Sequence, residues 1–226
     1  MTIANWIGAA AAKFLQAIKV IPKTEPEPIK PPIMPTPKPT PYTDTYNSAV
    51  IRPVYQSQID IIKKRVVEGR LRYEGVATIL ANGIPWWFIG ITHFMEAGNK
   101  YPNQFKYHLH CGDPLTARTF HVPKGRPKAP PIAGEGQPYT WEESALDALK
   151  FMGYDKVKDW SIENCLILFE KFNGLGYKKR GVANPYLWSF TSAYSKGKYV
   201  LDGKFDPNAV SKQPGCAAIM KGLGVA

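Results

Sequence analysis

The order of apolar and polar positions divides the chain into three segments. In the first, residues 2–20, large apolar side chains fall on roughly one helical face beside a run of alanines: Ile3, Ile7, Phe14, Leu15 and Ile18. A helix this short is only marginally stable alone, so the pattern predicts a helix over residues 1–21 that docks on a partner. Its polar face carries few lysines, which favours a protein partner over a lipid surface.

The second segment is a linker, predicted over residues 22–43. Nine prolines lie within residues 22–41. Because proline fixes φ and lacks a backbone N–H, neither a helix nor a sheet is expected there. The composition favours a semi-rigid polyproline II spacer, and a ligand for an SH3-type domain is the weaker alternative.

The third segment, residues 44–226, has the pattern of one globular, mainly helical domain. Capping boxes are predicted at Ser57–Asp60 and Thr140–Glu143. Alternating apolar positions over residues 105–122 predict a β-hairpin or a small irregular sheet. Helices are predicted over residues 57–82, 85–97, 140–153, 161–174, 185–194 and 216–223. Helices around one small β element give an α+β fold class.

Composition narrows the classes of partner. The formal net charge is +11, which favours an anionic partner such as a cell wall that carries carboxylates and phosphates. No nucleic acid is expected, because the lysines are scattered and no nucleic-acid-binding motif occurs. The three cysteines match neither a disulfide framework nor zinc-finger spacing. No stretch approaches the roughly 20 apolar residues of a transmembrane helix, and the N-terminus is a poor signal peptide.

Glu96 is the sharpest chemical feature of the sequence. It is the only carboxylate in a predicted helix rich in tryptophan, phenylalanine and isoleucine, and it lies in the last turn. Burial and the negative end of the helix dipole should both raise its pKa. An acid that stays protonated near neutral pH is what cleavage of a glycosidic bond requires. An ordinary exposed glutamate at a helix end remains the alternative.

A second carboxylate follows in the predicted hairpin. Glycosidases need a group across the sugar that holds a water or acts as a nucleophile. Asp113 could serve as this base, with Thr116 or Thr119 positioning the water. The alternative is an aspartate that only forms the turn before Pro114.

The histidines allow a competing interpretation. All four lie within thirty residues: His93, His108, His110 and His121. The pair His108 and His110 is compatible with zinc, and hence with a peptidase that cuts wall peptides. On a strand, however, Cys111 would face the other side, and no HExxH motif occurs. His93 lies one turn before Glu96, so it could instead hydrogen-bond that acid or line the cleft.

At these motifs the chain resembles a family of bacterial and phage proteins described as lysozyme-like or peptidoglycan-binding. The similarity covers most of residues 55–223, and these stretches carry it: Trp87–Glu96, His108–Thr119, Val122–Pro127, Tyr139–Ala145 and Pro185–Ser189. The chain is more distantly similar to goose-type lysozymes and lytic transglycosylases. Segment Phe172–Tyr177 is similar to their cleft-lining segment, although phenylalanine replaces the usual leading tyrosine.

The resemblance implies a lysozyme-like fold with Glu96 as the general acid. The resemblance does not establish a catalytic role for Asp113, because some members of the superfamily act without a second carboxylate. Stacking surfaces and hydrogen-bond donors for the sugar are expected among six residues: His93, His110, Asn173, Tyr177, Tyr186 and Trp188. For the last four of these, core packing is the alternative.

The sequence therefore predicts a hydrolase or lytic transglycosylase that cleaves the glycan strands of peptidoglycan, with no cofactor and no metal. The docking helix, the linker and the missing export signal together predict a component of a virion tail or injection machine. We expect it to bind a tail or baseplate protein and to act at the bacterial wall or periplasm. A free endolysin, held in the host cytoplasm before release, is nearly as well supported. The pattern is also compatible with a zinc-dependent wall peptidase and with a non-catalytic wall-binding or structural tail protein.

Overall fold

The computed structural model describes residues 41–132, 139–201 and 203–226. The predicted docking helix and nearly all of the predicted linker lie outside these ranges. The described residues belong to one compact unit. Helix α1 (Pro41–Ser48) belongs to it, since the backbone N–H of Thr43 donates to Glu163 at 2.8 Å. Residues 41–43, which the proline pattern predicts as linker, are therefore part of the domain.

Helices dominate the described residues. After α1 they are α2 (Gln56–Glu68), α3 (Arg70–Leu80), α4 (Trp86–Ala97), α5 (Trp141–Phe151), α6 (Ile162–Asn173), α7 (Gly176–Lys179), α8 (Pro185–Trp188) and α9 (Cys216–Leu223). Short 3-10 turns lie at Pro53–Tyr55, Gly98–Lys100, Gln104–Lys106 and Tyr154–Lys156. Within the described residues, no helix is both long and apolar enough to cross a membrane.

Helix α4 lies at the centre of the packing because its sequence is apolar on nearly every face. Phe88, Ile89 and Ile91 are completely buried, and the helix contacts α2, α3 and α9. Gly90 allows the ring of Tyr73 to come close, since a Cβ at this position would lie 2.9 Å from it. Neighbours on several sides hold the end of α4 in place, and Glu96 is at that end.

The two capping predictions have opposite outcomes. Thr140 and Glu143 form the predicted box at the start of α5. Ser57 lies inside α2, whose N-terminus has no side-chain cap, and Asp60 accepts a hydrogen bond from Gln56 at 2.9 Å. The box predicted at Ser57 is therefore wrong, because the helix begins one residue earlier.

Two predicted helices are shorter than expected. The helix predicted over residues 57–82 is interrupted at Gly69, where a Cβ would lie 2.6 Å from the ring of Tyr73. The helix predicted over 185–194 ends at Trp188, and Phe190 adopts a φ of 71°, which a right-handed helix does not allow.

The α+β class is confirmed, but the β element lies elsewhere. Strands β1 (Lys198–Leu201) and β2 (Lys204–Asp206) pair antiparallel, with Tyr199 opposite Phe205. The hairpin predicted over residues 105–122 is wrong. That segment has one isolated bridge, between Tyr107 and Pro114, and it folds instead around the Asp113 side chain.

Candidate functional site

Glu96 occupies the last turn of α4 and is partly buried. Burial raises its pKa to about 7, and a hydrogen bond from Tyr186 opposes this rise. The Tyr186 hydroxyl donates to Oε1 of Glu96 at 3.4 Å, a long distance that indicates a weak bond. Within the described residues no cation pairs with Glu96. The predicted direction of the pKa is confirmed, and the carboxyl group remains partly protonated at neutral pH.

The surroundings of Glu96 are neutral and closely packed. Completely buried Cys216 and partly buried Cys111 lie near enough to interact with its charge. The side chain of Gln213 donates to the carbonyl of Met95 at 3.2 Å. Gly112 fits against the backbone of Glu96, whose carbonyl oxygen would lie 3.0 Å from a Cβ at that position. These contacts fix the end of the helix without supplying a charge that would ionise the acid.

A cavity of about 570 Å³, here called the Tyr186 cavity, is connected to this helix end through two residues of its wall, Tyr186 and Gln213, while Glu96 itself does not line it. Its wall includes Asn173, Tyr177, Tyr186, Lys198, Tyr199 and Gln213. Three residues predicted from the sequence to bind substrate are thus brought together: Asn173, Tyr177 and Tyr186. Aromatic rings among hydrogen-bonding side chains are typical of sites that bind sugars.

Within this wall, the hydroxyl of Tyr177 has a structural task. It accepts a hydrogen bond from the backbone N–H of Tyr199 at 3.0 Å, which ties β1 to the helical part of the domain. The ring of Tyr199 lies edge-on to that of Tyr177, with centroids 5.1 Å apart. The hydroxyl of Tyr199 in turn accepts from Arg180 at 2.9 Å.

The sequence interpretation missed the β1–β2 side of the cavity. Lys198, Tyr199 and Gly203 line it, as do Ser211 and Gln213. A signal was present, because an Asp-Gly pair between two short runs of β-forming residues is a strong hairpin indicator. Nothing in the local sequence marks Gln213, which reaches the site only through folding.

His110 lies in a second cavity of about 500 Å³, here called the His110 cavity. Its wall also contains Val122, Phe151, Leu168, Lys171 and Phe172. The ring of Phe172 stacks on that of Tyr186, with centroids 6.1 Å apart. The two cavities therefore lie on either side of this aromatic pair. Tyr186 lines the first cavity and donates to Glu96, while Phe172 lines the second, so the link from the His110 cavity to Glu96 runs through this ring contact.

Asp113 does not have the surroundings of a catalytic base. Only 3% of its side chain is exposed. One carboxylate oxygen accepts the backbone N–H groups of Phe120 and His121, each at 2.9 Å, and the other bonds the ring of His121 at 2.6 Å. Burial alone raises the pKa of Asp113, but these bonds outweigh it and hold the pKa below its usual value. The role of a water-activating base stays a prediction that these surroundings do not favour, because the donors that fold the loop occupy the carboxylate.

The two threonines proposed to position water are also placed elsewhere. Thr119 is buried, and its hydroxyl donates to the carbonyl of Pro123 at 2.6 Å and accepts from the backbone N–H of Arg126 at 2.9 Å. Thr116 is exposed and lines neither cavity. The role predicted for Thr119 is wrong, because its hydroxyl closes the loop.

His93 is a core residue and does not contact Glu96. Tyr73 lies 3.0 Å from its Nδ1, while Trp141 and the carbonyl of Gln104 each lie 3.2 Å from Nε2. Burial lowers the pKa of His93 to about 4, so the ring is neutral. Although it lies one turn before Glu96, its ring is held by Tyr73, Gln104 and Trp141, and no hydrogen bond joins it to Glu96.

Trp188 is likewise outside the site. It is 6% exposed and lines a separate cavity with Tyr42 and Glu170, on the side where α1 packs against α6. Its predicted part in substrate binding is not supported, since it lines neither cavity beside Glu96.

The zinc interpretation fails on the arrangement of the side chains. Both ring nitrogens of His108 are occupied, by Ser144 at 2.7 Å and by the carbonyl of Ala117 at 2.8 Å. Across residues 41–132, 139–201 and 203–226, no three histidine, cysteine or acidic side chains group as metal ligands. His108 and His110 are close in sequence but do not form a ligand set.

Comparisons of the chain with models of protein families, with curated proteins and with solved structures find no match. The resemblance to lysozyme-like proteins stays a prediction from the sequence motifs.

Proposed function

We propose that the domain cleaves the glycan strands of peptidoglycan, with Glu96 as the general acid. The observation that carries the proposal is a partly buried carboxyl group with a pKa of about 7, hydrogen-bonded to Tyr186, which lines a cavity with an aromatic and amide-bearing wall. A general acid works best when its pKa lies near the working pH. The net charge of +11 fits a wall polymer that carries carboxylates and phosphates.

In the proposed reaction Glu96 gives its proton to the oxygen of the glycosidic bond as that bond breaks. Tyr186 is suited to the change of charge, since its hydroxyl donates to Glu96 and its pKa is raised well above the usual value by burial. It therefore remains a donor and stabilises the carboxylate that forms. The same carboxylate can then take a proton from the incoming hydroxyl group.

The second catalytic group of the sequence hypothesis is absent from the proposed reaction. Among the described residues, no aspartate or glutamate lines the Tyr186 cavity or the His110 cavity, and Glu96 itself is connected to the Tyr186 cavity through the hydroxyl of Tyr186. A reaction with one carboxyl group needs another source of stabilisation for the sugar cation, and the 2-acetamido oxygen of the substrate can supply it. This favours attack by water or by the sugar's own 6-hydroxyl on the substrate-stabilised intermediate, which in the second case gives a 1,6-anhydro product.

The test is release of fragments from purified peptidoglycan by the full chain and by Glu96→Gln. The variant keeps the shape of the side chain but has no proton to give, so the rate should fall by a factor of about 10² to 10⁴. Wild-type activity should also decline as the pH rises through about 7, where Glu96 loses its proton. Mass spectrometry of the fragments separates reducing ends from 1,6-anhydro ends.

Glu74→Gln is the matched control, because Glu74 makes only a surface ion pair with Arg70 and should leave the rate unchanged. Equal clearing by wild type and Glu96→Gln would remove Glu96 from the reaction. No clearing by any of the three proteins would favour a non-catalytic wall-binding or structural role.

Delivery by a phage tail or injection machine is part of the same proposal. The residues that would dock and tether the domain lie outside the described ranges, so this part depends on the sequence pattern alone. Release as a free endolysin is the alternative.

A further inference from the structure

The His110 cavity contains an unsatisfied polar side chain. His110 is 8% exposed, and neither ring nitrogen has a hydrogen-bond partner within the described residues. A buried polar group without a partner costs folding free energy, and groups of this kind are rare in native proteins. His108, two residues earlier, shows the usual arrangement, with a partner for each nitrogen. Both nitrogens of His110 are unsatisfied and the residue lines a cavity, which indicates a group that binds there in the working protein.

The protonation state of His110 limits what that group can be. Burial, with the neighbouring His108, lowers the pKa of His110 to about 4, so the ring is neutral at the working pH. A neutral imidazole offers one N–H donor and one lone pair. A peptide group offers the complementary pair, one C=O acceptor and one N–H donor. A bare anion such as phosphate would match only the donor.

The rest of the wall is apolar with one cation. Val122, Phe151, Leu168 and Phe172 supply apolar surface, which suits small aliphatic side chains. Lys171 lies in the same wall, is exposed, and has no acidic partner in the described part of the chain. A carboxylate on the ligand would find its counter-charge there.

Position links this cavity to the proposed cleavage. The Phe172–Tyr186 pair separates the two cavities, and the Tyr186 hydroxyl donates to Glu96. A glycan bound in the Tyr186 cavity would thus place substituents of its sugars near the His110 cavity. In peptidoglycan those substituents are short peptides that combine small apolar residues with free carboxylates.

We propose that the His110 cavity binds the stem peptide of peptidoglycan, with the imidazole of His110 on a peptide group and Lys171 on a stem carboxylate. The inference rests on the proposed function, because that function supplies the glycan. It makes the domain selective for glycan strands that carry peptides, and it disfavours chitin.

The experiment measures binding by calorimetry with the full chain carrying Glu96→Gln, so that no ligand is cleaved. The ligands are a peptidoglycan disaccharide with its tetrapeptide and the same disaccharide after an amidase has removed the peptide. We expect the peptide-bearing fragment to bind about tenfold more tightly. Adding Lys171→Ala should remove most of that difference and leave the peptide-free fragment unaffected.

Lys63→Ala is the matched control, because Lys63 is also an exposed helical lysine but lies on α2 and lines neither cavity. It should retain the tenfold difference. His110→Leu tests the imidazole with little risk to folding, since His110 has no hydrogen bond to lose. It should reduce the preference for the peptide-bearing fragment as Lys171→Ala does.

Equal affinity for the two fragments would overturn the inference, as would an equal loss of both affinities in Lys171→Ala and Lys63→Ala. These outcomes are separable from failure of the proposed cleavage. If the wild type clears peptidoglycan but the two fragments bind equally well, only the stem-peptide site in the His110 cavity is refuted. A preference without clearing would refute the cleavage and leave a wall-binding domain that recognises stem peptides.

Discussion

The end of helix α4 and the loop of residues 108–126 each bury a carboxylic acid, and they treat it in opposite ways. Glu96 has one long hydrogen bond from a neutral hydroxyl, and burial raises its pKa to about 7. Asp113 is also penalised by burial, but two backbone N–H groups and a histidine ring bond it, and its pKa is lowered. The comparison teaches that burial alone does not decide the charge of a buried acid. The number of hydrogen-bond donors that reach the carboxylate decides whether it is charged.

The two acids therefore have different tasks. Asp113 is ionised, and its charge organises the loop by binding backbone groups of Phe120 and His121. Glu96 stays partly protonated at neutral pH because its surroundings give the carboxylate almost nothing to bind. A folded chain can tolerate that arrangement only at some cost in stability, which is common at functional sites.

The largest expected effect comes from removing the charge of Asp113. In Asp113→Asn an amide NH₂ would face donors that now meet an oxygen, so we expect a loss of about 3 to 5 kcal/mol in the free energy of unfolding at neutral pH. Because the folded-state pKa is depressed, this stability is present above the ordinary value of 3.8 and is lost as the pH falls through the lower folded value. Denaturant unfolding from pH 3 to 7 measures it.

The control is Asp60→Asn, at an exposed position on α2, which should change stability by less than about 0.5 kcal/mol. The cleavage rate per folded Asp113→Asn molecule should stay close to that of the wild type. A well-folded but inactive Asp113→Asn would restore Asp113 as a catalytic base and break the comparison.

The next largest effect is a change in stability at Glu96, and its dependence on pH has the opposite sign to that at Asp113. The pKa of Glu96 rises on folding from 4.5 to about 7. Wild type and Glu96→Gln should therefore differ least below pH 4.5. The wild type should then lose stability relative to the variant as the pH rises, by up to about 3 kcal/mol above pH 7. Unfolding curves from pH 4 to 8.5 measure the difference, with Glu74→Gln as the control that should show none. A variant that is relatively less stable at pH 8 would mean that Glu96 is ionised and satisfied.

Glu96 was predictable from the sequence because the features that mark it are local. An apolar helix, its last turn and the glycine after it are all visible in one short stretch. The capping box at Thr140 and Glu143 was predictable for the same reason. Local patterns of this kind need no knowledge of the rest of the fold.

Asp113 and His93 could not be placed in this way. The donors to Asp113 come from residues 120 and 121, and the loop adopts a shape that the alternation over residues 105–122 does not indicate. His93 is on the same helix as Glu96, but its partners come from three separate segments, at Tyr73, Gln104 and Trp141. Long-range partners decide the surroundings of these two side chains, so residue type and spacing alone could not predict them.

The smallest expected effect concerns the one hydrogen bond that Glu96 receives. Tyr186 lowers the pKa of Glu96, so Tyr186→Phe should raise it further, by less than about one unit because a 3.4 Å bond is weak. The change can be followed by carbon NMR of labelled glutamate carboxyl groups, which does not depend on how Tyr186 contacts a substrate. Tyr177→Phe makes the same change in the same cavity, but its hydroxyl bonds the backbone of Tyr199, so the pKa of Glu96 should not move. An unchanged or lower pKa in Tyr186→Phe would mean that burial alone determines the pKa of Glu96. The hydrogen bond from Tyr186 would then play no part in the contrast with Asp113.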